Sequence, residues 1–337
     1  MWIISMVFMN GQVDILNIRK IFGRFRQFGG WHLLWEYTKL GLLPTVVHQG
    51  WLLAVGRTDS DTAYHNIVQR VSAILLNRYG PLMYQRKRHY AQEALEHGHR
   101  HVIWFCWLQG MEHAPDLVRA CYNSVKRHFS DRELVVITRA NMHEYIEMPQ
   151  HITDRYEQGQ MPAALYADMV RLELLGKYGG TWMDASLLCT GSDCPDGMMD
   201  ADLFVFQAIR KDDRRFLGAS NWFITACANN PVLLVLRDVM SQYWKDYSCT
   251  LQYYMFHLFF NQLARLYPDE IAAMPRRNRL RALQLADRLG ERYDAVAMAE
   301  MERVSSFHKL NYRVAERLKN STDTYYAEVI RRYGTDI

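Results

Sequence analysis

The sequence predicts an α/β protein in which a mostly parallel sheet is flanked by helices, with a helical region before it and a helical segment after it. Three observations lead there. "HVIWFCWLQG" (101–110) and "ELVVIT" (133–138) are β-rich runs separated by the helical stretch "APDLVRACYNSVKRHF", a strand, helix, strand alternation with a short first loop. A helix over about 162–178 leads through two glycines into a further strand at 181–188. Residues 1–98 instead carry helical periodicity and basic patches, with few strand-like runs.

In chain order, "YHNIVQRVSAILLNRY" (64–79) places Ile67, Val71, Ile74 and Leu75 at helical spacing. The first strand ends at Gly110, and ligands in such sheets bind at the carboxyl ends of the strands, here near Trp107 to Gly110. Pro162 suits the first turn of the next helix and Gly179 its C-cap. Strand-like pieces recur at 181–188 and in "LFVFQ" (203–207); after "NWFITACANNP" the chain reads as helical through about residue 266 and, Arg-rich, to its end. The expected division is a helical N-terminal region over 1–98 and an α/β domain over 99–337 that includes the C-terminal helical segment.

With 49% hydrophobic and 23% charged residues, the 337-residue chain reads as globular rather than disordered. Cys106, Cys121, Cys189, Cys194, Cys227 and Cys249 form no CxxC pair, which argues against a thiolate metal site or a disulfide framework and for a reducing compartment. No stretch approaches the roughly 20 apolar residues that span a bilayer. "MWIISMVFMN" lacks a basic n-region and a small-residue cleavage site, so a cytoplasmic protein is expected. The net charge of +4 is mild and no nucleic-acid motif is present, so nucleic acid is not an expected partner. The basic residues do cluster. "RKIFGRFRQFGGWHLLWEYTK" (19–39) interleaves Arg19, Lys20, Arg24 and Arg26 with Phe22, Phe25, Phe28, Trp31 and Trp35, and "RKRH" follows at 86–89. Such segments either meet a membrane surface carrying anionic lipid or dock on their own domain with a solvated basic face.

The residues with chemical promise lie on the 162–178 helix and just after it. Glu173 and Lys177 share a polar wedge, whereas Asp168 and Arg171 fall within the apolar arc between Leu165, Leu172 and Leu175. Unpaired buried charges cost several kcal/mol, so this pair either satisfies itself at i, i+3 or faces a polar ligand in a cleft. In "GGTWMDAS", Gly179 and Gly180 permit a tight helix-to-strand reversal and close approach of backbone to a ligand. Asp184 then emerges near the strand end with Ser186 on the same face. A strand-end carboxylate with no Lys or Arg nearby in sequence suits Mg²⁺ or Mn²⁺, and such an ion would carry a diphosphate.

The run "ALYADMVRLELLGKYGGTWMDAS" resembles the D-x-x-R … GG-x-W/Y-x-D-x-D/S block of glycosyltransferases with the Rossmann-like GT-A fold, in particular bacterial capsular polysaccharide synthesis proteins, relatives of glycosyltransferase family 32. "HVIWFCWLQG", "APDLVRACYNSVKRHF" and "SNWFITA" are similar to that family in the right order, and the resemblance covers most of residues 100–310. It implies transfer of a sugar from a nucleotide-diphosphate donor, UDP-linked, to a capsular or surface polysaccharide repeat unit on a lipid diphosphate at the inner face of the membrane, with retention.

Residue by residue, the resemblance gives Asp168 and Arg171 the grip on the donor sugar, and Asp184 the place of the first acid of the metal-binding D-x-D. Ser186 stands where many relatives have the second acid, a departure that weakens metal affinity. Trp107 and Gln109, in "FCWLQG", fall on the nucleotide side; Trp107 looks like the aromatic that stacks on uracil in related sugar-transferring toxins, with core packing as its alternative. Asn221 and Trp222 fall near the acceptor side, where the amide either bonds the leaving phosphate or the reacting sugar, or caps local structure. His308 and Lys309 resemble the late segment that folds over the diphosphate, His308 completing the metal set of Asp184 and Ser186. Asp193, Asp196, Asp200, Asp202, Asp212 and Asp213 crowd the stretch after the strand without distinguishing a base. Two other readings stay open: a nucleotide-sugar binding protein without turnover, suggested by Ser186, and a transferase of sugar phosphate.

Overall fold

The N-terminal periodicity becomes three helices, α1 (Gly30–Lys39), α2 (Leu43–Ala54) and α3 (Ser60–Gln92), in a computed structural model that describes residues 30–93, 95–192, 194, 197–208 and 218–335. The chain forms two compact units, one of Met1–Arg86, Pro149–Tyr166 and Asp238–Phe259, the other of Lys87–Met148, Ala167–Arg237 and Phe260–Ile337.

In the first unit, the Asp59 carboxylate starts α3 by accepting from the backbone N–H groups of Asp61 (2.9 Å) and Thr62 (2.8 Å). Val71, Leu75, Tyr79 and Met83, spaced at four residues, are buried. Tyr79 stands edge-on to Phe259 (5.6 Å between ring centres) and donates its hydroxyl to Asp246 (2.8 Å). Helix α2 is turned inside out. Its Gln49 is buried and accepts from Asn66 (3.1 Å), while Leu43, Val47, Trp51 and Val55, four residues apart, are exposed by 40–49%. Trp31 and Trp35 on α1 are also exposed. Arg86 of the "RKRH" cluster pairs with Asp238 (3.2 Å). Arg19, Lys20, Phe22, Arg24, Phe25, Arg26 and Phe28 lie outside the described residues.

The second unit contains β1 (Val102–Cys106), α4 (Asp116–His128), β2 (Glu133–Ile137), α5 (Ala163–Tyr178, from Ala167 on), β3 (Gly180–Asp184), β4 (Leu187–Cys189), β5 (Leu203–Gln207), β6 (Ala219–Ala226) and β7 (Phe307–Lys309). Five strands form one sheet in the order β2-β1-β3-β6-β5. β1 is parallel to β2 and β3, and β6 is antiparallel to both β3 and β5, so only β6 opposes the others. The expected mostly parallel, helix-flanked sheet is therefore present. The expected single strand over 181–188 is two: a turn at Ala185 and Ser186 separates β3 from β4, which pairs antiparallel with β7 in a sheet of its own. Periodicity cannot show this break, because the partner of β4 is more than a hundred residues away.

Trp104, Phe105, Trp182, Met183, Phe204 and Phe223 fill the sheet's two faces, and Val170, Leu172, Leu174 and Leu175 bury α5 on several sides. Leu117, Ala120 and Cys121 of α4 form a second core with Leu188, Leu285, Met298, Tyr325 and Val329, which ties the C-terminal helices to the sheet through β4. Lys87, the second cation of "RKRH", lies over the ring of Tyr267 (4.6 Å).

Candidate active site

The two glycines come first in chain order, and they differ from expectation. Gly179 (φ 68°) and Gly180 (φ 92°) lie in the left-handed region that glycine adopts freely. A Cβ on Gly179 would come within 2.6 Å of the Ala228 nitrogen, and one on Gly180 within 2.8 Å of the Val102 carbonyl oxygen. Their close approach is thus to neighbouring backbone at the amino end of β3, whereas Asp184 stands at its carboxyl end. They shape the reversal and do not line the site.

At that carboxyl end, beside Cys106 of β1, the structure joins residues from four segments. Asp168 and Arg171, one turn apart on α5 and each 3% exposed, pair at 3.0 Å. Arg171 also reaches Asp184 Oδ1 (3.2 Å) and donates to the backbone oxygen of Asn221, and the Asn221 amide donates to Asp168 Oδ1 (2.9 Å). The Arg171 guanidinium lies 4.8 Å from the centre of the Trp182 ring. The pair satisfies itself at i, i+3, as the first of the two readings has it, and it is fastened to two strands beside the sheet's carboxyl edge. Asn221 therefore bonds Asp168 rather than capping following structure, and Trp222 stacks on Phe206 (4.5 Å) inside the core.

Asp184 looks unpartnered in sequence and is the most heavily partnered acid here. Its Oδ1 accepts from the Trp182 indole N–H (2.8 Å) and from Arg171, and its Oδ2 accepts from the Lys309 ammonium (2.8 Å). Lys309 also donates to Ser186 Oγ (2.6 Å), so this one cation joins the two oxygens expected to bind a metal. β7 supplies it, with Lys309 opposite Leu187 and the Leu310 N–H bonded to the Ser186 carbonyl (2.8 Å).

Neighbouring residues on a strand point to opposite faces, and His308 is accordingly turned to Thr190 (3.1 Å) instead of joining this network. Burial holds its imidazole down to about 4. Burial also raises the Asp168 carboxyl to about 6, with Arg171 and Asn221 opposing and Asp184 reinforcing the rise. For Asp184, burial acts upward but is overcome by Lys309 and Arg171, which leave it at about 2.

Mg²⁺ and Mn²⁺ in such sites are held by one or two free carboxylates together with waters and substrate phosphates. Among the described residues no three His, Cys, Asp or Glu side chains converge. Asp168 and Asp184 are balanced by Arg171 and Lys309, and both expected donor oxygens hold the ammonium. This donor set does not fit Mg²⁺ or Mn²⁺.

Trp107 follows β1, half-buried, with Tyr312 edge-on at 5.4 Å and Phe105, Ala114, Val118 and Ala185 in the same apolar group. Among the described residues its buried indole N–H has no hydrogen-bond partner. Gln109 is exposed on the loop beyond. Ala114 and Tyr312 also wall a cleft of about 660 Å³, of ligand size, whose lining mixes Arg119, Arg313 and Lys319 with Glu112, Asp116 and Glu316. Since Ala185 is the chain neighbour of Asp184, the apolar group connects the cleft wall to the charged network. Sequence reasoning missed Trp182, Tyr312 and Arg119. Trp182 was discoverable, because it is two residues from Asp184 and shares its face of the strand. Tyr312 and Arg119 carried no such signal. Of the acids after the strand, Asp200 pairs with Arg132 (2.7 Å) and Asp202 with His99 (2.9 Å); Asp193, Asp196, Asp212 and Asp213 lie outside the described residues.

A family model described as "Capsular polysaccharide synthesis protein" matches residues 58–329. The structure is similar to that titled "PaToxG Glycosyltransferase", at 16% identity and a TM-score of 0.37, over 69% of this chain and 94% of that one. It is also similar to the glycosyltransferase GlyE of Streptococcus pneumoniae TIGR4, at 13% identity and a TM-score of 0.37, over 71% of this chain and 61% of that one. No curated protein matches the sequence.

Proposed function

Because the chain belongs to the capsular polysaccharide synthesis protein family, we propose that it is a glycosyltransferase, moving a sugar from a nucleotide-diphosphate donor, UDP-linked, to a capsular or surface glycan. One observation carries this: a charge-balanced network of Asp168, Arg171, Asp184, Asn221 and Lys309, buried at the Asp168–Arg171 pair and partly exposed at Asp184 and Lys309, at the carboxyl ends of β1 and β3. Every member of that network lies within the matched segment.

Sugar transfer builds positive charge at the anomeric carbon and negative charge on the departing diphosphate, so fixed charges aimed at both are the main requirement. Asp168 and Arg171 supply a rigid acceptor and donor for sugar hydroxyls, and Lys309 supplies the cation nearest solvent, with its side chain 21% exposed. Trp107 and the cleft beside Tyr312 suit a stacked base. Retention is part of the proposal, with the departing phosphate accepting the proton of the attacking hydroxyl.

The acceptor we propose is a glycan on a lipid diphosphate, met at the inner membrane face. No described helix is long and apolar enough to cross a membrane. The exposed stripe of Leu43, Val47, Trp51 and Val55, with Arg57 5.9 Å from the Trp51 ring, favours peripheral contact with anionic lipid. Val47→Glu with Trp51→Glu should abolish co-sedimentation with vesicles containing phosphatidylserine and leave the melting temperature unchanged; retained binding would discard this part.

Incubation with a panel of nucleotide sugars and a membrane extract tests the activity. Release of a nucleoside diphosphate, lost in Arg171→Ala, supports sugar transfer. Release of the monophosphate points to sugar-phosphate transfer, and binding without release to a non-catalytic protein.

A further inference from the structure

We infer that Lys309 takes the part a divalent ion would otherwise play at this site, so that its ammonium donates to the departing diphosphate and nucleotide binding needs no metal. The inference rests on the glycosyltransferase reading. Lys309 Nζ lies 2.8 Å from Asp184 Oδ2 and 2.6 Å from Ser186 Oγ, the position of a cation held between the two. The other oxygen of Asp184 is already shared by Trp182 and Arg171. Ser186 brings no charge, and with Asp168 and Asp184 balanced by Arg171 and Lys309, a dication would enter a network with no negative charge to spare.

Delivery is rigid. Lys309 lies opposite Leu187 in the paired strands β4 and β7, and the Leu310 N–H is bonded to the Ser186 carbonyl, so the ammonium is delivered from β7, the partner of the strand that follows the turn after Asp184. An ammonium carries three N–H donors. Two are committed to Asp184 and Ser186, and one remains for a phosphate oxygen in a pair that is 21% and 23% exposed. When the bond from the anomeric carbon to the diphosphate oxygen breaks, its electron pair leaves on that oxygen, where Lys309 faces it. The acceptor hydroxyl oxygen forms the new bond to the anomeric carbon, and its proton passes to the departing phosphate. No oxidant or reductant is required. His308, turned to Thr190, is absent from the network, which removes the remaining expected metal ligand.

Calorimetric titration of the full chain with UDP, GDP, ADP, CDP and dTDP, in EDTA and in Mn²⁺, tests this. One nucleotide should bind in EDTA within about threefold of its affinity in Mn²⁺. Lys309→Met should weaken that binding in EDTA by about 30-fold, the worth of a charge-assisted contact of about 2 kcal/mol. Mn²⁺ should recover part of the loss in this variant alone, and Lys309→Arg should keep most of the affinity; a merely structural lysine would give neither pattern. If Lys309→Met does not fold, the wild-type comparison still decides. Binding in Mn²⁺ but not in EDTA overturns the inference and leaves the glycosyltransferase reading intact, as does unchanged binding by Lys309→Met. Failure of all five nucleotides in both conditions overturns the nucleotide-donor reading and the inference with it.

Discussion

Asp184→Asn changes the charge of the central acid and almost none of its shape, so its cost reports the electrostatics of the network. The side chain titrates near 2 in the fold against 3.8 when free. At about 1.4 kcal/mol per pK unit, the fold gains about 2 kcal/mol from ionised Asp184 at neutral pH. With a side chain 23% exposed, it keeps most of that interaction from solvent screening. A depressed carboxylate stabilises above its unfolded value and loses that contribution as the pH falls toward its folded one. The advantage over the Asn variant should therefore be full at pH 7 and about half gone by pH 3. At roughly 2–4 °C per kcal/mol for a unit of 150–250 residues, the variant should melt about 4–8 °C below wild type at pH 7. Scanning calorimetry of both proteins at the two pH values gives the comparison, with titrations common to both cancelling. Equal melting temperatures at pH 7, or a gap that stays constant down to pH 3, would refute the assignment of both cations to this carboxylate. In the same variant, nucleoside diphosphate release from the donor should fall below detection.

Asp168 should show the opposite sign. Burial raises it to about 6, so its stabilising protonated form is lost as the pH rises through that value; wild type should gain about 1 kcal/mol on Asp168→Asn between pH 7 and pH 5, read as a change in their melting-temperature gap. Gly179→Ala puts a Cβ 2.6 Å from the Ala228 nitrogen at a φ of 68°, and should cost more than about 2 kcal/mol with loss of soluble protein, whereas a ligand-facing glycine would lose affinity first. Trp107→Ala should weaken the preferred nucleoside diphosphate by about tenfold, the worth of one aromatic stack at roughly 1–1.5 kcal/mol, with little effect on its diphosphate-only analogue, pyrophosphate. Equal loss for both ligands would assign Trp107 to packing.

How far the sequence could be read depended on the range of the interaction involved. β1, α4, β2, α5 and β5 fall close to their sequence expectations because each is specified by its own periodicity and turn residues. Asp168 and Arg171 announced themselves by lying in an apolar arc, and the structure buries both. The readings that changed depend on contacts across the chain. Gly179 and Gly180 have the conformations their sequence suggests, but what they approach is a neighbouring strand that sequence cannot locate. Asp184 was matched by no nearby cation in sequence and is bound by Lys309, 125 residues away.

The sequence by itself determined the α/β class, the family and the acids and bases that gather at the sheet's edge, because local propensity and a compact motif specify those. Only the tertiary structure decided that β4 leaves the main sheet to pair with β7, and that this pairing sets Lys309, not His308, against Asp184 and Ser186. The reason is geometric. Alternate residues of a strand face opposite ways, so which member of a His-Lys pair enters the site is fixed by register with a distant strand, and register is a property of the folded sheet.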